Sequence, residues 1–368
     1  MEIKQGTDNS ILLLAVCLTC LGVVMVFSSS SIMAVRAHAD SLYFLKRQGL
    51  FALAGFGMLA LTARFDYHHF RKLAVPILFF CILLLVLVLV PGLGRKVGGA
   101  ARWLPVGGFS FQPAEMAKLG LVIFMAHSLA KKKEKVKDFR IGFLPYMLLL
   151  VLLLALLLAQ PDLGSALTLA VVAVMMLLVA GTRLLFLFGT AVVALPFLYV
   201  LIMNVEYRRQ RVMAFLNPWD DPSNSGFQII QSWIAFGSGG AFGKGLGESK
   251  QKLFYLPEAH TDFIFSVVGE ELGFIGVIVI AAMFLLLVVR GLRAALHAPD
   301  EFGCYLAFGM SLLLGLEAFA NMAVVMGMVP TKGMALPFLS YGGSSLLMSL
   351  VAVGIILNVS AQAAGELK

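Results

Sequence analysis

The sequence predicts an all-α polytopic membrane protein of ten transmembrane helices. Three observations lead there. Hydrophobic residues make up 60% of the 368 and charged residues 13%, whereas a soluble domain runs at about 45–50% and about 25%. Mean hydropathy is +0.94. The apolar residues also cluster into runs near the roughly 20 residues that span a bilayer as a helix. Ten such runs fall near 10–33, 47–63, 73–91, 113–130, 142–160, 163–181, 184–205, 263–289, 303–328 and 342–362. A helical membrane bundle is one unit, so the chain reads as a single membrane domain over 1–368.

The first run resembles a signal peptide, with "AHA" at 37–39 as a cleavage site. Its apolar stretch exceeds the roughly 7–15 residues of a signal core, so it reads as a retained helix. Cys17 and Cys20 have CxxC spacing but lie inside that helix, and with Cys81 and Cys304 they give no disulfide framework. The net charge of +8 does not indicate nucleic acid, because the basic residues sit in short links between apolar runs.

Most links are short. The exceptions are 92–112 and 206–262, the latter read as a long extracytoplasmic loop between the seventh and eighth helices. "KKKEKVKDFR" (131–140) is the densest basic cluster and marks the cytoplasmic side by the positive-inside rule. "RFDYHHFRK" (64–72) falls on the same side, which makes both termini cytoplasmic.

Four polar motifs each precede an even-numbered helix: "GGAARWLPVGGFSFQPAEMAK" (98–118), "QPDLGS" (160–165), "LPEAHTD" (256–262) and "PTKGMALPFLSYGGSS" (330–345). Parity places all four on one face, opposite the lysine cluster. Helix N-termini present unpaired N–H groups and a partial positive charge, so four on one face favour an anion. Any one motif is equally an ordinary turn and cap; the coincidence of four points to a site.

Asp262 is the leading candidate, because an ionisable carboxylate at a membrane helix is costly and therefore functional by default, although Asp also serves well as an N-cap. From Asp262, helical periodicity puts Ser266, Gly269, Gly273 and Gly276 on one face, a small-residue face against which a prenyl chain or another helix could pack. Glu270 and Glu271, two turns deeper, read as a structural buttress that must be paired or protonated. Glu115 and Lys118, spaced i,i+3, form an ion pair, and Lys118 also suits a phosphate or a catalytic carboxylate. Arg102 suits bidentate phosphate binding. Lys332 and the "SYGGSS" turn with Ser344 supply further donors. Arg208, Arg209 and Arg211 hold either lipid headgroups or an anionic substrate. Glu317 and Asn321 satisfy each other or a neighbouring helix. His260 stands beside the acidic site without a third ligand, and no Cys/His cluster has zinc spacing. No metal is required, and a divalent cation such as Mg²⁺ or Mn²⁺ is left open. "GSGGAFGKGLG" (237–247) is not a nucleotide loop, because Gly245 follows Lys244 and no βαβ context surrounds it. It reads as a flexible loop or as backbone close to a ligand.

These motifs, with "RRQRVMAFLNPWDDPSNSGFQIIQS" (208–232) and "GSGGAFGKGLGESKQKLFYLPEAHTDFIFSVVGEELGFIG" (237–276), resemble the SEDS family of cell-wall proteins (shape, elongation, division and sporulation) in order and over nearly the whole chain. "YLPEAHTDFIF" and "NPWDDPSNSGFQ" are closest to the division members, with the elongation and sporulation members next. The resemblance implies the ten-helix SEDS fold and a peptidoglycan glycosyltransferase of the bacterial cytoplasmic membrane, at the division septum. Its substrate would be lipid II, a disaccharide-pentapeptide on undecaprenyl pyrophosphate. Its partners would be a class B penicillin-binding protein, a transpeptidase, and other divisome proteins. The family's essential aspartate falls on Asp262, and its helix-four Glu/Lys pair on Glu115 and Lys118.

The expected reaction has Asp262 as general base on the acceptor 4-hydroxyl, which attacks C1 of the donor with inversion while undecaprenyl pyrophosphate leaves. Lys118, Arg102, Lys332, Arg208, Glu115 and His260 are the candidates around substrate and pyrophosphate, with Glu270, Glu271 and Ser344 supporting. Two other readings stay open. A lipid II flippase would need polar residues reaching across the membrane. A scaffold recruiting the transpeptidase would tolerate loss of Asp262.

Overall fold

The computed structural model describes residues 8–97, 100–253 and 255–366. The termini assigned to the cytoplasm, 1–7 and 367–368, and Gly98, Gly99 and Phe254 of the quoted motifs lie outside the described residues. The ten expected helices are α1 (Asn9–His38), α2 (Tyr43–Arg64), α3 (His68–Leu89), α4 (Pro113–Lys132), α5 (Leu144–Ala159), α6 (Leu163–Val179), α7 (Leu184–Met203), α10 (Ile264–Leu296), α11 (Glu301–Val325) and α12 (Gly343–Glu366). Eight are long and apolar enough to cross a membrane, α5 when taken together with the π-helical turn Phe139–Phe143 that leads into it. The other two are α6, with 17 residues, and α4, whose apolar run is diluted by Glu115, Lys118 and His127.

α1 runs unbroken through "AHA" to His38 and ends at Ala39 in a left-handed conformation. The bundle core is built on α11 and α12, whose most apolar 18-residue windows are 67% and 83% enclosed by protein. No residue of α7 is buried, as suits a helix apolar on every side within lipid.

The structure departs from or narrows the sequence expectation in four places. First, the 92–112 link forms a three-stranded antiparallel sheet, β1 (Arg95–Val97), β2 (Ala100–Val106) and β3 (Phe109–Phe111), in the order β1-β2-β3. Second, the 206–262 stretch contains two helices, α8 (Glu206–Leu216) and α9 (Phe227–Gly239). Both are shorter than a membrane span, so the search for long apolar runs passed over them.

Third, α10 breaks at Gly273, which adopts φ 69°. The backbone groups released there pair with the glycine-rich segment: Lys244 and Gly245 N–H donate to the Glu270 and Glu271 carbonyls at 3.0 and 3.1 Å, and Phe274 and Ile275 N–H donate to Gly240 and Ala241 at 2.9 and 3.1 Å. Broken helices persist at membrane depth only where such groups are satisfied. A Cβ on Gly273 would stand 2.2 Å from the Gly243 nitrogen. The glycines of 237–247 thus bring backbone against α10. Fourth, of the two expected occupants of the small face of α10 the structure shows a helix and leaves no open groove there for a prenyl chain. Ser266 bonds Ser232 of α9 at 2.8 Å, and a Cβ on Gly269 or Gly273 would meet Phe236 or the 241–243 backbone. The chain's own α9 and glycine loop fill it.

Candidate active site

The four polar motifs meet on one face. Arg102, on β2, donates from Nε to the Gln160 carbonyl at 3.2 Å and from Nη2 to the Pro161 carbonyl, which ties the sheet to the start of α6. Asp162 caps α6, accepting from Ser165 N–H at 3.0 Å and from Ser165 Oγ at 2.8 Å. Lys332, in the link between α11 and α12, lies over this cap: a Cβ on Gly164 would stand 3.1 Å from both Lys332 Cε and Asp162 Oδ1.

Asp262 lies two residues before α10 and is not its cap: Phe263 occupies that position, and the Asp262 carboxylate accepts no hydrogen bond among the described residues. Its backbone is fixed instead. Asn321 of α11 donates from Nδ2 to the Asp262 carbonyl at 2.9 Å and to the Met334 carbonyl at 2.6 Å. Ser340 Oγ donates to the Thr261 carbonyl at 2.7 Å, and Tyr341 N–H to the His260 carbonyl at 2.9 Å. Gly333 faces the carboxylate, and a Cβ there would lie 2.8 Å from Asp262 Oδ2. The carboxylate is thus held in place with both oxygens available.

Burial pushes the Asp262 carboxyl up to about 7 and the negative charge of Glu258 adds to this, against the opposing pull of Arg211 and Arg102. Burial likewise brings the Lys332 ammonium down to about 8, with Asp162 resisting and the Lys118 charge assisting. His260 is lowered by burial, partly offset by Glu258. A carboxyl near neutrality with free oxygens is matched to accepting a proton at working pH, and the cations beside it are matched to an anionic leaving group.

Lys118 is buried below this layer. It pairs with Glu115 at 2.9 Å and with Glu317 of α11. Glu317 therefore satisfies Lys118 and Asn321 satisfies backbone carbonyls, rather than each other. Glu270 and Glu271 are fully enclosed and hold the 244–252 loop onto α10. Glu270 takes Lys244 at 2.7 Å and Ser249 Oγ at 2.5 Å; Glu271 takes Lys252 at 2.8 Å and Ser28 Oγ at 2.7 Å. Ser344 accepts from Gln112 N–H at 3.0 Å, joining the start of α4 to α12.

Of the sequence candidates, Arg102 acts on Asp262, His260 lies on its segment and Lys332 lies over the Asp162 cap; Glu115 and Lys118 lie beneath; Glu270, Glu271 and Ser344 hold the scaffold. Arg208 does not join them, because its Nη1 donates to the Leu201 carbonyl at 3.0 Å, at the end of α7. Arg211, one turn on, stacks on Tyr207 at 4.4 Å and donates to the Thr331 carbonyl at 3.1 Å. Sequence reasoning singled out Arg208 from that run because the one-turn geometry of α8 that separates the two was unseen. Asp162 is the α6 cap that the turn-and-cap reading of its motif implies and also bears on the Asp262 charge, and Glu317 meets the neighbouring helix α4, one of its two expected partners. Among the described residues, no group of three His, Cys, Asp or Glu side chains could hold a metal ion.

A family model described as "Cell cycle protein", covering FtsW, RodA and SpoVE, matches residues 8–365. The chain belongs to the FtsW/RodA/SpoVE family. Among its relatives, the probable peptidoglycan glycosyltransferase FtsW of Geobacter metallireducens is 62% identical over 358 residues, covering 97% of this chain and 96% of that one. Stage V sporulation protein E of Bacillus subtilis is 42% identical over 359 residues, covering 97% and 98%. Two solved structures share the fold. One, reported for the coordination of polymerization and crosslinking by a peptidoglycan synthase complex, matches at a TM-score of 0.79 and 31% identity, covering 98% of this chain and 99% of that one. The rod shape determining protein RodA of Thermus thermophilus matches at 0.71 and 30%, covering 97% of each. This FtsW/RodA/SpoVE fold therefore places the buried Asp262 site within a multi-pass membrane protein.

Proposed function

We propose that this chain is a peptidoglycan glycosyltransferase that polymerises lipid II into β-1,4-linked glycan strands at the outer face of the bacterial cytoplasmic membrane. The observation that carries the reading is the Asp262 carboxylate, raised to about 7 and free of hydrogen bonds, with Arg102 and Arg211 acting on it. Relatives named for this activity support it at 57–62% identity over nearly the whole chain.

Asp262 takes the proton of the acceptor 4-hydroxyl as that oxygen attacks C1 of the donor sugar. The bond from C1 to the pyrophosphate oxygen breaks on the opposite face, so an α-linked donor gives a β-linked product. Arg102, Arg211 and Lys332 receive the charge of the leaving undecaprenyl pyrophosphate. Lys118, neutralised by Glu115 and Glu317, fixes the floor beneath them. The substrate is tethered to the bilayer, so its base sits at the bilayer's edge. The face that carries Asp262 is extracytoplasmic, both termini are cytoplasmic, and the chain works at the division septum with a class B penicillin-binding protein. The division role follows the names of its most similar relatives.

The test is polymerisation of labelled lipid II by the purified protein with a transpeptidase partner whose own active site is dead, comparing wild type with Asp262→Ala. Strands from wild type alone support the reading. Equal strands from both remove Asp262 as base. No strands from either, with lipid II crossing vesicle bilayers, replace the polymerase with a transporter.

A further inference from the structure

A second feature opens on the same face as Asp262. Tyr43, Arg47 and Phe51 recur every four residues at the start of α2 and so form one stripe along it. The stripe faces β3. The Arg47 guanidinium lies 4.7 Å from the Tyr43 ring centroid and 5.8 Å from that of Phe109, between the two. Phe51 meets Phe109 edge-on at 5.2 Å, and His38 stacks on the outer side of Tyr43 at 3.7 Å. All but the exposed His38 are half-buried.

This row is continuous with the candidate active site. Phe44, edge-on to Tyr43 at 5.2 Å, meets Tyr341 edge-on at 4.9 Å, and Tyr341 lies 5.8 Å ring to ring from His260, two residues before Asp262. Membrane aromatics commonly sit singly at the interface as anchors. Here a cation is held between two rings, and among the described residues no carboxylate lies within 4 Å of it. Its Coulombic capacity is therefore open to an outside group. Aromatic faces carry partial negative charge and suit the C–H face of a pyranose, while a guanidinium offers five donors suited to carboxylates and amide carbonyls. An N-acetylated amino-sugar chain with acidic peptide or lactyl substituents carries all of these features.

We propose that the Tyr43–Arg47–Phe109 row is a glycan-binding strip that holds the sugar chain next to the unit reacting at Asp262. The proposal rests on the glycosyltransferase reading. The exposed His38 ring, backed by Tyr43, supplies the stacking platform, Arg47 binds the acidic substituent, and Tyr341 joins the strip to the His260–Asp262 segment. A strip of this kind keeps the polymer bound between additions, so it governs strand length.

The test uses the full-length protein in detergent and a fluorescent, lipid-free hexasaccharide of the N-acetylglucosamine–N-acetylmuramyl-peptide repeat. Binding is measured by polarisation, and lipid II polymerisation is run in parallel with the dead-site partner. The expected result is binding by wild type, weakened at least ten-fold by Tyr43→Ala and by Arg47→Gln and retained by Tyr43→Trp, which keeps a ring behind His38. Strands from the two weakened variants should also be several-fold shorter than wild type. If Tyr43→Ala melts early, Arg47→Gln decides alone. Equal binding and equal strand length in wild type and Arg47→Gln overturn the strip and leave the polymerase reading standing. Strip-dependent binding by a wild type that makes no strands overturns the polymerase reading and keeps the strip. No binding by a wild type that does polymerise overturns the strip alone.

Discussion

Replacing Arg211 with Gln tests the electrostatic account of Asp262. Burial and Glu258 raise its carboxyl while Arg211 and Arg102 pull it down, for a net value of about 7. Removing one of those cations disfavours the ionised form, so the value must rise. A unit charge near the surface, beyond hydrogen-bond reach, contributes on the order of 1–2 kcal/mol at an effective dielectric of about 20. At 1.36 kcal/mol per pH unit that is roughly one unit, so the variant should titrate near about 8. The active form is the ionised base. At pH 7 its population falls from about one half to about one tenth, so this cause alone lowers the rate roughly five-fold, and by about pH 9 only the pH-independent loss of leaving-group stabilisation should remain. The assay is the initial rate of lipid II polymerisation from pH 5.5 to 9.5. Gln at 211 can still donate to the Thr331 carbonyl, which limits structural change. An equal loss at every pH, with the acidic limb unmoved, refutes the reasoning, as does a wild-type limb near 4.

Three further outcomes follow from the same structure. Asp262→Asn should be inactive yet more stable than wild type at alkaline pH. A carboxyl that ionises at its usual 3.8 unfolded and about 7 folded makes wild-type stability fall as pH rises across that window, by up to about 4 kcal/mol before solvent screening, so the gap in melting temperature between Asn and Asp should widen from pH 4 to 8. Lys118→Met leaves Glu115 and Glu317 buried without their shared cation. It should cost about 3–5 kcal/mol, and adding Glu317→Gln should restore part of the lost melting temperature. Gly273→Ala forces a side chain into a positive-φ position and against the Gly243 nitrogen. It should cost more than about 2 kcal/mol and speed proteolysis of the 240–252 loop; an unchanged cleavage rate argues against the observed docking of that loop on α10.

The membrane helices were legible because hydrocarbon thickness imposes a length and a composition that any reader of the chain can count. The common face of the four motifs was legible because parity is topological and needs no coordinates. Tertiary pairings were not. Glu317 and Asn321, one turn apart, suit each other or a neighbouring helix, and spacing alone does not choose; they serve Lys118 of α4 and the Asp262 carbonyl from opposite ends of that turn. The small face of α10 suited a prenyl chain or a helix equally, because periodicity shows which residues share a face and not what covers it. α8 and α9 were hidden by their length: 11 and 13 residues fall below the span criterion, and α8 is too polar to give a helical apolar stripe. The consequence was local but real, since only a helical α8 distinguishes Arg211, facing Asp262, from Arg208, facing α7.

These unread pairings explain how a carboxylate can be both raised and available. Hydrogen bonds to the Asp262 oxygens would position it but would lower it by stabilising the charged form. Here positioning is transferred to the backbone: Asn321 holds the Asp262 carbonyl, Ser340 the Thr261 carbonyl, and the Tyr341 N–H the His260 carbonyl. The side chain is left to burial and to charges not in hydrogen-bond contact. Two of the three anchors, Ser340 and Tyr341, belong to the turn that precedes α12, and Gln48 of α2 donates to the Ser340 carbonyl at 3.2 Å. The helix that carries the Tyr43–Arg47 stripe therefore also helps hold the turn that positions Asp262. Occupancy of the stripe and placement of the base share one rigid support, so variants at Gln48 should disturb both strand length and rate, whereas variants at Tyr43 should act more strongly on strand length than on rate.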